Sequence, residues 1–265
     1  MSGAEAFDEQ VAAHYEAWYE TPEGQRADAL EKASLQQLLS QFPGARSVVE
    51  VGCGTGHFTR WLGTQALSAV GVDLSGPMLY EAKRSNQVCL VQADAHRLPF
   101  ADDVFDLAAF ITTLEFLNAA HEALAEAVRV GSRGVLLGVL NRCSALALRR
   151  RLVGLFRPSV YDTARFFRVA ELLQLVQRAA DEVRSGAEGA HGSDVRAGRM
   201  VWHTTLFPEW VPWERASLLW GGFIAMALLL PPSPARQSSG MTAKASPSGS
   251  DARWPRPGRG ELRNG

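Results

Sequence analysis

The sequence predicts a doubly wound α/β fold, with a mostly parallel sheet, helices on both faces and a closing antiparallel strand pair. Three observations predict it. Between residues 46 and 140, short β-branched runs alternate with helix-compatible stretches. The connecting segments are long enough for right-handed crossovers between parallel strands. Beyond residue 198, two β-rich runs follow one another with no crossover helix between them, so they can pair antiparallel.

Taken in order, Glu5 to Trp18 is helix-compatible. Thr21-Pro22-Glu23 then supplies a capping oxygen, a proline at the first helical position and an early acid, so a second helix should run from there to about Phe42. Pro43-Gly44 breaks it, and Ser47-Val48-Val49-Glu50-Val51 reads as a strand entering a glycine-rich turn. The spacing next predicts a helix over His57 to Leu67, a strand over Ala69 to Leu74, a helix over Gly76 to Arg84 and a strand over Val88 to Ala93. Val104 to Ile111, Leu117 to Val130 and Gly134 to Leu140 continue as strand, helix and strand.

Residues 144–164, with the cluster Arg149-Arg150-Arg151, interrupt the alternation and are expected to be an insertion near the ligand. A helix over Phe166 to Val183 follows. Gly198 to Phe207 and Gly222 to Leu230 are the closing pair, joined by Pro208-Glu209-Trp210-Val211-Pro212-Trp213 and a short helical turn. The apolar run Phe223 to Leu230 is far shorter than the roughly 20 residues that span a bilayer, and reads as a buried strand. From Pro231 onward Pro, Ser, Gly, Ala and Arg dominate, a composition that buries too little surface to offset its ordering entropy; residues 231–265 are expected to be a disordered tail.

Bulk properties narrow the function classes. The 265 residues suit one ample core plus a tail, and 46% hydrophobic with 21% charged residues is ordinary for a globular chain. A formal net charge of -1 offers no general attraction to nucleic acid or to an anionic membrane. Cys53, Cys89 and Cys143 are odd in number and widely spaced, which fits neither a disulfide framework nor a zinc site; no metal is expected. The polar, acidic start MSGAEAFDEQ lacks a secretory pattern, so a cytoplasmic location with reduced thiols is the expectation.

Three motifs carry the chemistry. In Glu50-Val51-Gly52-Cys53-Gly54-Thr55-Gly56, the glycines let the backbone turn sharply and approach a ligand that a Cβ would block. The helix that follows presents unpaired N–H groups at its start. In Gly71-Val72-Asp73-Leu74-Ser75, a carboxylate ends the next strand on the same edge of the sheet, where it can accept two ribose hydroxyls or, alternatively, cap the helix near Gly76, a cap that Ser75 could provide instead. In Ala93-Asp94-Ala95-His96, Asp94 ends the third strand and can receive an exocyclic amine of adenine. Three such strand ends face one crevice, the place where open α/β sheets bind ligands.

The stretch from about Arg46 to Leu140 resembles the class I S-adenosylmethionine-dependent methyltransferases, which are Rossmann-like, and especially the branch that includes quinone-biosynthesis methyltransferases. The resemblance is carried by the three motifs together with Met78-Leu79, Leu98-Pro99-Phe100 and Phe105-Asp106. It implies S-adenosyl-L-methionine as cofactor: Gly52, Cys53, Gly54 and Gly56 cradling the methionine moiety, Glu50 near its amino group, Asp73 with the adjoining Leu74 at the ribose, Met78 packing on adenine, and Asp94 with Ala95 reading the base edge. Ile111 and Thr112 are implied to offer backbone contacts, and Tyr15-Glu16-Ala17-Trp18-Tyr19 a lid over the sulfonium. The domain plan is then an N-terminal helical lid over residues 1–45, a methyltransferase domain over 46–230 and the tail.

In-line methyl transfer needs alignment and exclusion of water but no covalent protein nucleophile. Candidates for a general base are His203, Tyr161, His96 and Glu115, none singled out by spacing, and Glu115 is alternatively an exposed residue beginning a helix. No catalytic residue is assigned. Phe156, Tyr161, Phe166, Phe167 and Trp202 either line a pocket for a small, partly apolar acceptor or belong to the core. Two rivals remain. A dinucleotide-dependent oxidoreductase would place its third glycine at position 57, where His57 stands. A catalytically inactive cofactor-binding interaction module is the other.

Overall fold

The structure, a computed structural model, describes residues 7–84, 88–144, 164–188, 198–206, 215–216 and 219–231. The insertion beyond Ser144, with Phe156 and Tyr161, and the tail beyond Pro231 lie outside the described residues. The chain divides into two compact units, and all described residues fall in the first, Met1–Ser233.

Two short helices, α1 (Glu9–Tyr15) and α2 (Ala17–Glu20), precede α3 (Pro22–Leu39). The cap read from Thr21 is formed: its Oγ1 accepts the Gly24 N–H at 3.0 Å, and Pro22 occupies the first turn. There follow β1 (Ser47–Val51), α4 (His57–Thr64), β2 (Ser68–Asp73), α5 (Gly76–Arg84), β3 (Cys89–Gln92), β4 (Phe105–Ile111), α6 (Ala120–Val130) and β5 (Gly131–Leu140). The last described elements are α7 (Val169–Glu188), β6 (Arg199–Thr205), β7 (Arg215–Ala216) and β8 (Phe223–Leu229).

The described strands form one sheet in the order β3-β2-β1-β4-β5-β8-β6-β7. β1 to β5 run parallel, while β8 pairs antiparallel with both β5 and β6. Alternation along β1 sends Val49 and Val51 to one face, where they join Leu124 and Ala127 of α6 and Leu172 and Val176 of α7. Val48 points to the other face, with Leu35 and Leu38 of α3 and Phe58 and Leu62 of α4. Helices therefore cover both faces, as the alternation predicts. Phe223 to Leu228 of β8 are fully buried, which places this doubly apolar strand inside the sheet and leaves β6, with exposed Arg199, nearer the edge.

Several boundaries differ from expectation for tertiary reasons. A 3-10 turn over Leu114–Phe116 delays α6 to Ala120, because the chain leaving β4 first folds back and Thr113 Oγ1 donates to the Ile111 and Gly52 carbonyls, each at 3.1 Å. Phe167, expected in a helix, bridges in parallel to Asn141 with its ring fully buried, so α7 starts at Val169. Residues 207–214 and 217–218 of the link, where the helical turn is expected, lie outside the described residues; within the link Arg215 and Ala216 pair as a two-residue strand with Thr205 and Thr204.

Candidate functional site

Glu50, Gly52, Cys53, Gly54, Asp73, Leu74, Met78, Asp94, Ala95, Ile111 and Thr112 all line one cavity of about 290 Å³ at the carboxyl ends of the central strands. Gly56 does not line it; with φ +78° it turns the chain into α4 as that helix's N-terminal cap. The glycine loop is built by positive φ at Gly52 (+74°), Gly54 (+53°) and Gly56. A Cβ on Gly52 would fall 2.0 Å from Thr113 Cγ2, whereas one on Gly54 would meet no heavy atom within 4 Å. Gly52 is thus required by the protein's own packing, and Gly54 leaves open space beside the cavity.

Asp73 organises two strand ends. Its Oδ2 accepts the Gly54 N–H at 2.7 Å and its Oδ1 the Ser75 N–H at 2.8 Å. Burial nevertheless raises its pKa, outweighing these backbone hydrogen bonds. The Ser75 hydroxyl caps α5 by accepting the Met78 N–H at 3.3 Å, so the helix-capping role considered for Asp73 falls to Ser75. Met78 is buried beneath the cavity and Leu74 is exposed at its rim.

Glu50 projects from β1 toward α4, where Thr59 Oγ1 donates a short hydrogen bond to its Oε2. Only 1% of the residue is exposed. Burial pushes its carboxyl up to about 8, against the lowering effect of Thr59. Burial likewise drives the Cys53 thiol far above its usual range, which leaves it inert as a nucleophile at neutral pH. Asp94 is half-exposed and its Oδ1 accepts both the His96 N–H at 2.9 Å and a bond with His96 Nδ1 at 2.6 Å, which lower its pKa.

Thr113 and Phe116, in the segment after β4 that the family resemblance implies at the methionine end, line the cavity, as do Tyr15 and Tyr19 of the expected lid; Phe7 and His57 line it too, and sequence reasoning assigned neither of these a site role. His57 stacks on Tyr19, ring centroids 3.7 Å apart and 9° from parallel, and its Nε2 lies 2.7 Å from Asp28 Oδ1. Burial disfavours its charged form, but Asp28 and Glu16 outweigh that and raise its pKa. The sequence held one signal for this pairing, a histidine opening a helix; its acidic partners lie 29 and 41 residues upstream and no local pattern links them.

Of the base candidates, His96 lines the cavity and Tyr161 lies outside the described residues. His203 is buried on β6 and Glu115 in the 3-10 turn, and neither lines the cavity. Glu115 is not the exposed helix-starting residue considered above: its Oε1 accepts the Leu140 N–H at 2.6 Å, joining the turn to β5. Phe166 and Phe167 are core residues and Trp202 packs against the core; none of the three lines the cavity. Among the described residues no group of three or more His, Cys, Asp or Glu is arranged to hold a metal ion, and no helix is long and apolar enough to cross a membrane.

Residues 49–138, which contain the glycine loop, Asp73, Asp94 and Thr112, match the model of a family described as a methyltransferase domain. Over residues 49–138 the chain resembles S-adenosylmethionine-dependent methyltransferase domains. The chain has a solved relative in Thermotoga maritima, an S-adenosylmethionine-dependent enzyme described as a possible histamine N-methyltransferase, with TM-score 0.66 and 26% identity over 86% of this chain and 99% of that one. An uncharacterized protein of Mycobacterium tuberculosis is 32% identical over 167 residues; the match takes in 62% of this chain and 56% of that protein, so the chain spans little more than half of this relative. A malonyl-[acyl-carrier protein] O-methyltransferase of Enterobacter lignolyticus is 30% identical over 112 residues, 41% of this chain and 45% of that enzyme. The methyltransferase fold and cofactor class agree with the sequence expectation.

Proposed function

We propose that the chain transfers a methyl group from S-adenosylmethionine to a small, partly apolar acceptor. The observation that supports this most is the convergence of the glycine loop, Asp73, Met78, Asp94 and Thr112 on one cavity. The residues fit the cofactor: open space beside Gly54 for close backbone approach, a buried carboxylate at Asp73, an apolar floor at Met78, and a half-exposed acid at Asp94. In this reading the loop from Gly52 to Gly54 cradles the methionine portion and Glu50 receives its ammonium. Asp73 takes the ribose hydroxyls, Leu74 covers the sugar, Met78 supports adenine, and Asp94 with Ala95 meets its edge. Ile111 and Thr112 bound the methionine end.

When bound, S-adenosylmethionine supplies an electrophilic methyl on a sulfonium. The chain's contribution is alignment and a dry chamber. Phe7, Tyr15, Tyr19, Phe116 and Leu117 give that chamber an apolar wall, which favours a small organic acceptor over a charged polymer. Of the base candidates named from the sequence, His96 is the one among the described residues that lines the wall, hydrogen-bonded to Asp94. Calorimetry with S-adenosylhomocysteine against NADH tests the cofactor: binding of NADH alone would overturn the assignment. A panel of small metabolites with labelled cofactor tests the acceptor, and selective labelling of protein or RNA would overturn the small-molecule reading.

A further inference from the structure

Residues 7–20 put Phe7, Tyr15 and Tyr19 into the cavity wall. Their helices, seven and four residues long, are too short to hold a shape alone, so their position depends on what they touch. On one side the attachment is neutral: Ser75 Oγ donates to the Phe7 carbonyl at 2.8 Å, and the Phe7 ring meets Phe116 edge-on at 5.0 Å.

On the other side it is charged. Glu16, at the junction of α1 and α2, accepts from Thr55 Oγ1 at 2.5 Å and from Arg60 Nη2 at 2.9 Å, with His57 Nδ1 3.6 Å away. All three partners belong to the glycine loop or the first turn of α4. Arg60 Nη1 also donates to the Thr55 carbonyl at 2.8 Å, which fixes the guanidinium on the loop. The Tyr19 ring rests on His57, itself held by Asp28 of α3. Glu16 does not line the cavity, so its carboxylate holds the wall in place without being part of it.

We propose that Glu16 is a clasp that holds residues 7–20 shut over the cavity, so that release of Glu16 from Thr55, Arg60 and His57 limits the entry and exit of the cofactor. The inference rests on the cofactor reading above. It makes Glu16 a positioning residue whose removal accelerates traffic in both directions, because neither the free nor the loaded site loses a direct ligand contact.

The test is stopped-flow binding of S-adenosylhomocysteine to the full chain. Glu16→Gln keeps the shape and removes the charge. Both association and dissociation rate constants should rise about tenfold, the scale of a half-exposed charge-assisted contact, while Kd moves by less than about threefold. Arg60→Met, which removes the partner, should act in the same direction. Hydrogen exchange of residues 9–20 in the loaded protein should quicken in parallel. Either variant, folded and binding with unchanged rate constants, would overturn the clasp, as would a loss of affinity confined to slower association. Wild-type protein with no affinity for S-adenosylhomocysteine would instead sink the cofactor reading itself.

Discussion

Asp73 and Gly54 are joined by a 2.7 Å hydrogen bond from the glycine's N–H to the carboxylate, so the end of β2 holds the turn that leaves β1. The same turn is tied a second time, since the Gly52 and Cys53 N–H groups both donate to the Val72 carbonyl at 2.7 and 2.9 Å. Residues assigned to two different parts of a ligand are therefore one mechanical unit before any ligand arrives.

Asp73→Ala orphans two backbone donors and removes the proposed ribose acceptor. Affinity for S-adenosylhomocysteine should fall by about 1–3 kcal/mol, and Asp73→Asn, which retains one acceptor oxygen, should lose less. Calorimetry on both variants measures this; equal affinity in wild type and Asp73→Ala would contradict the role.

The two glycines should fail differently. Gly52→Ala drives a Cβ into Thr113 and should lower the melting temperature as well as binding. Gly54→Ala has room in the protein and bears mainly the strain of positive φ, about 1–2 kcal/mol, yet places its methyl in the open space beside the cavity. Its loss of S-adenosylhomocysteine affinity should exceed its loss of stability, a separation readable by melting and calorimetry on the same samples.

Glu50 gives a pH dependence of definite sign. Its ordinary value is 4.5 and burial raises it to about 8, so between these limits the folded chain keeps a proton that the unfolded chain releases. The stabilisation is complete below pH 4.5 and is lost as pH rises through 8. Glu50→Gln should flatten the wild-type decline in melting temperature over this range. If the carboxylate also receives the cofactor's ammonium, binding of S-adenosylhomocysteine at pH 7 should release up to about one proton, seen as a buffer-dependent heat; proton uptake would refute it.

Asp106 predicts a purely structural effect. Its Oδ2 accepts the Arg46 N–H at 2.8 Å, the Ser47 N–H at 3.1 Å and the Ser47 hydroxyl at 3.2 Å, and the residue is buried. Asp106→Ala should cost about 2–3 kcal/mol in denaturant unfolding, with little change in S-adenosylhomocysteine affinity per folded molecule.

The parts of this molecule that were legible in the sequence depend on neighbours in the chain. Thr21-Pro22-Glu23 caps its own helix, Gly52, Gly54 and Gly56 turn their own loop, and Gly76 to Arg84 forms the expected helix residue for residue. Asp73 and Asp94 were legible as strand-end acids because a parallel sheet brings such ends to one edge.

What the sequence by itself determined is the doubly wound alternation and the glycine and acidic motifs of the cavity floor, since backbone conformation and apolar periodicity are set within a few residues. The tertiary structure alone decided that β8 enters the sheet between β5 and β6, that Phe167 joins a bridge instead of a helix, and that Glu115 faces inward to the Leu140 N–H. It also brought Glu16 to Thr55 and Arg60, and Asp28 to His57. Each of these rests on burial or on a charge paired across dozens of residues, and such contacts leave no periodic trace along the chain because space, not sequence separation, selects the partner.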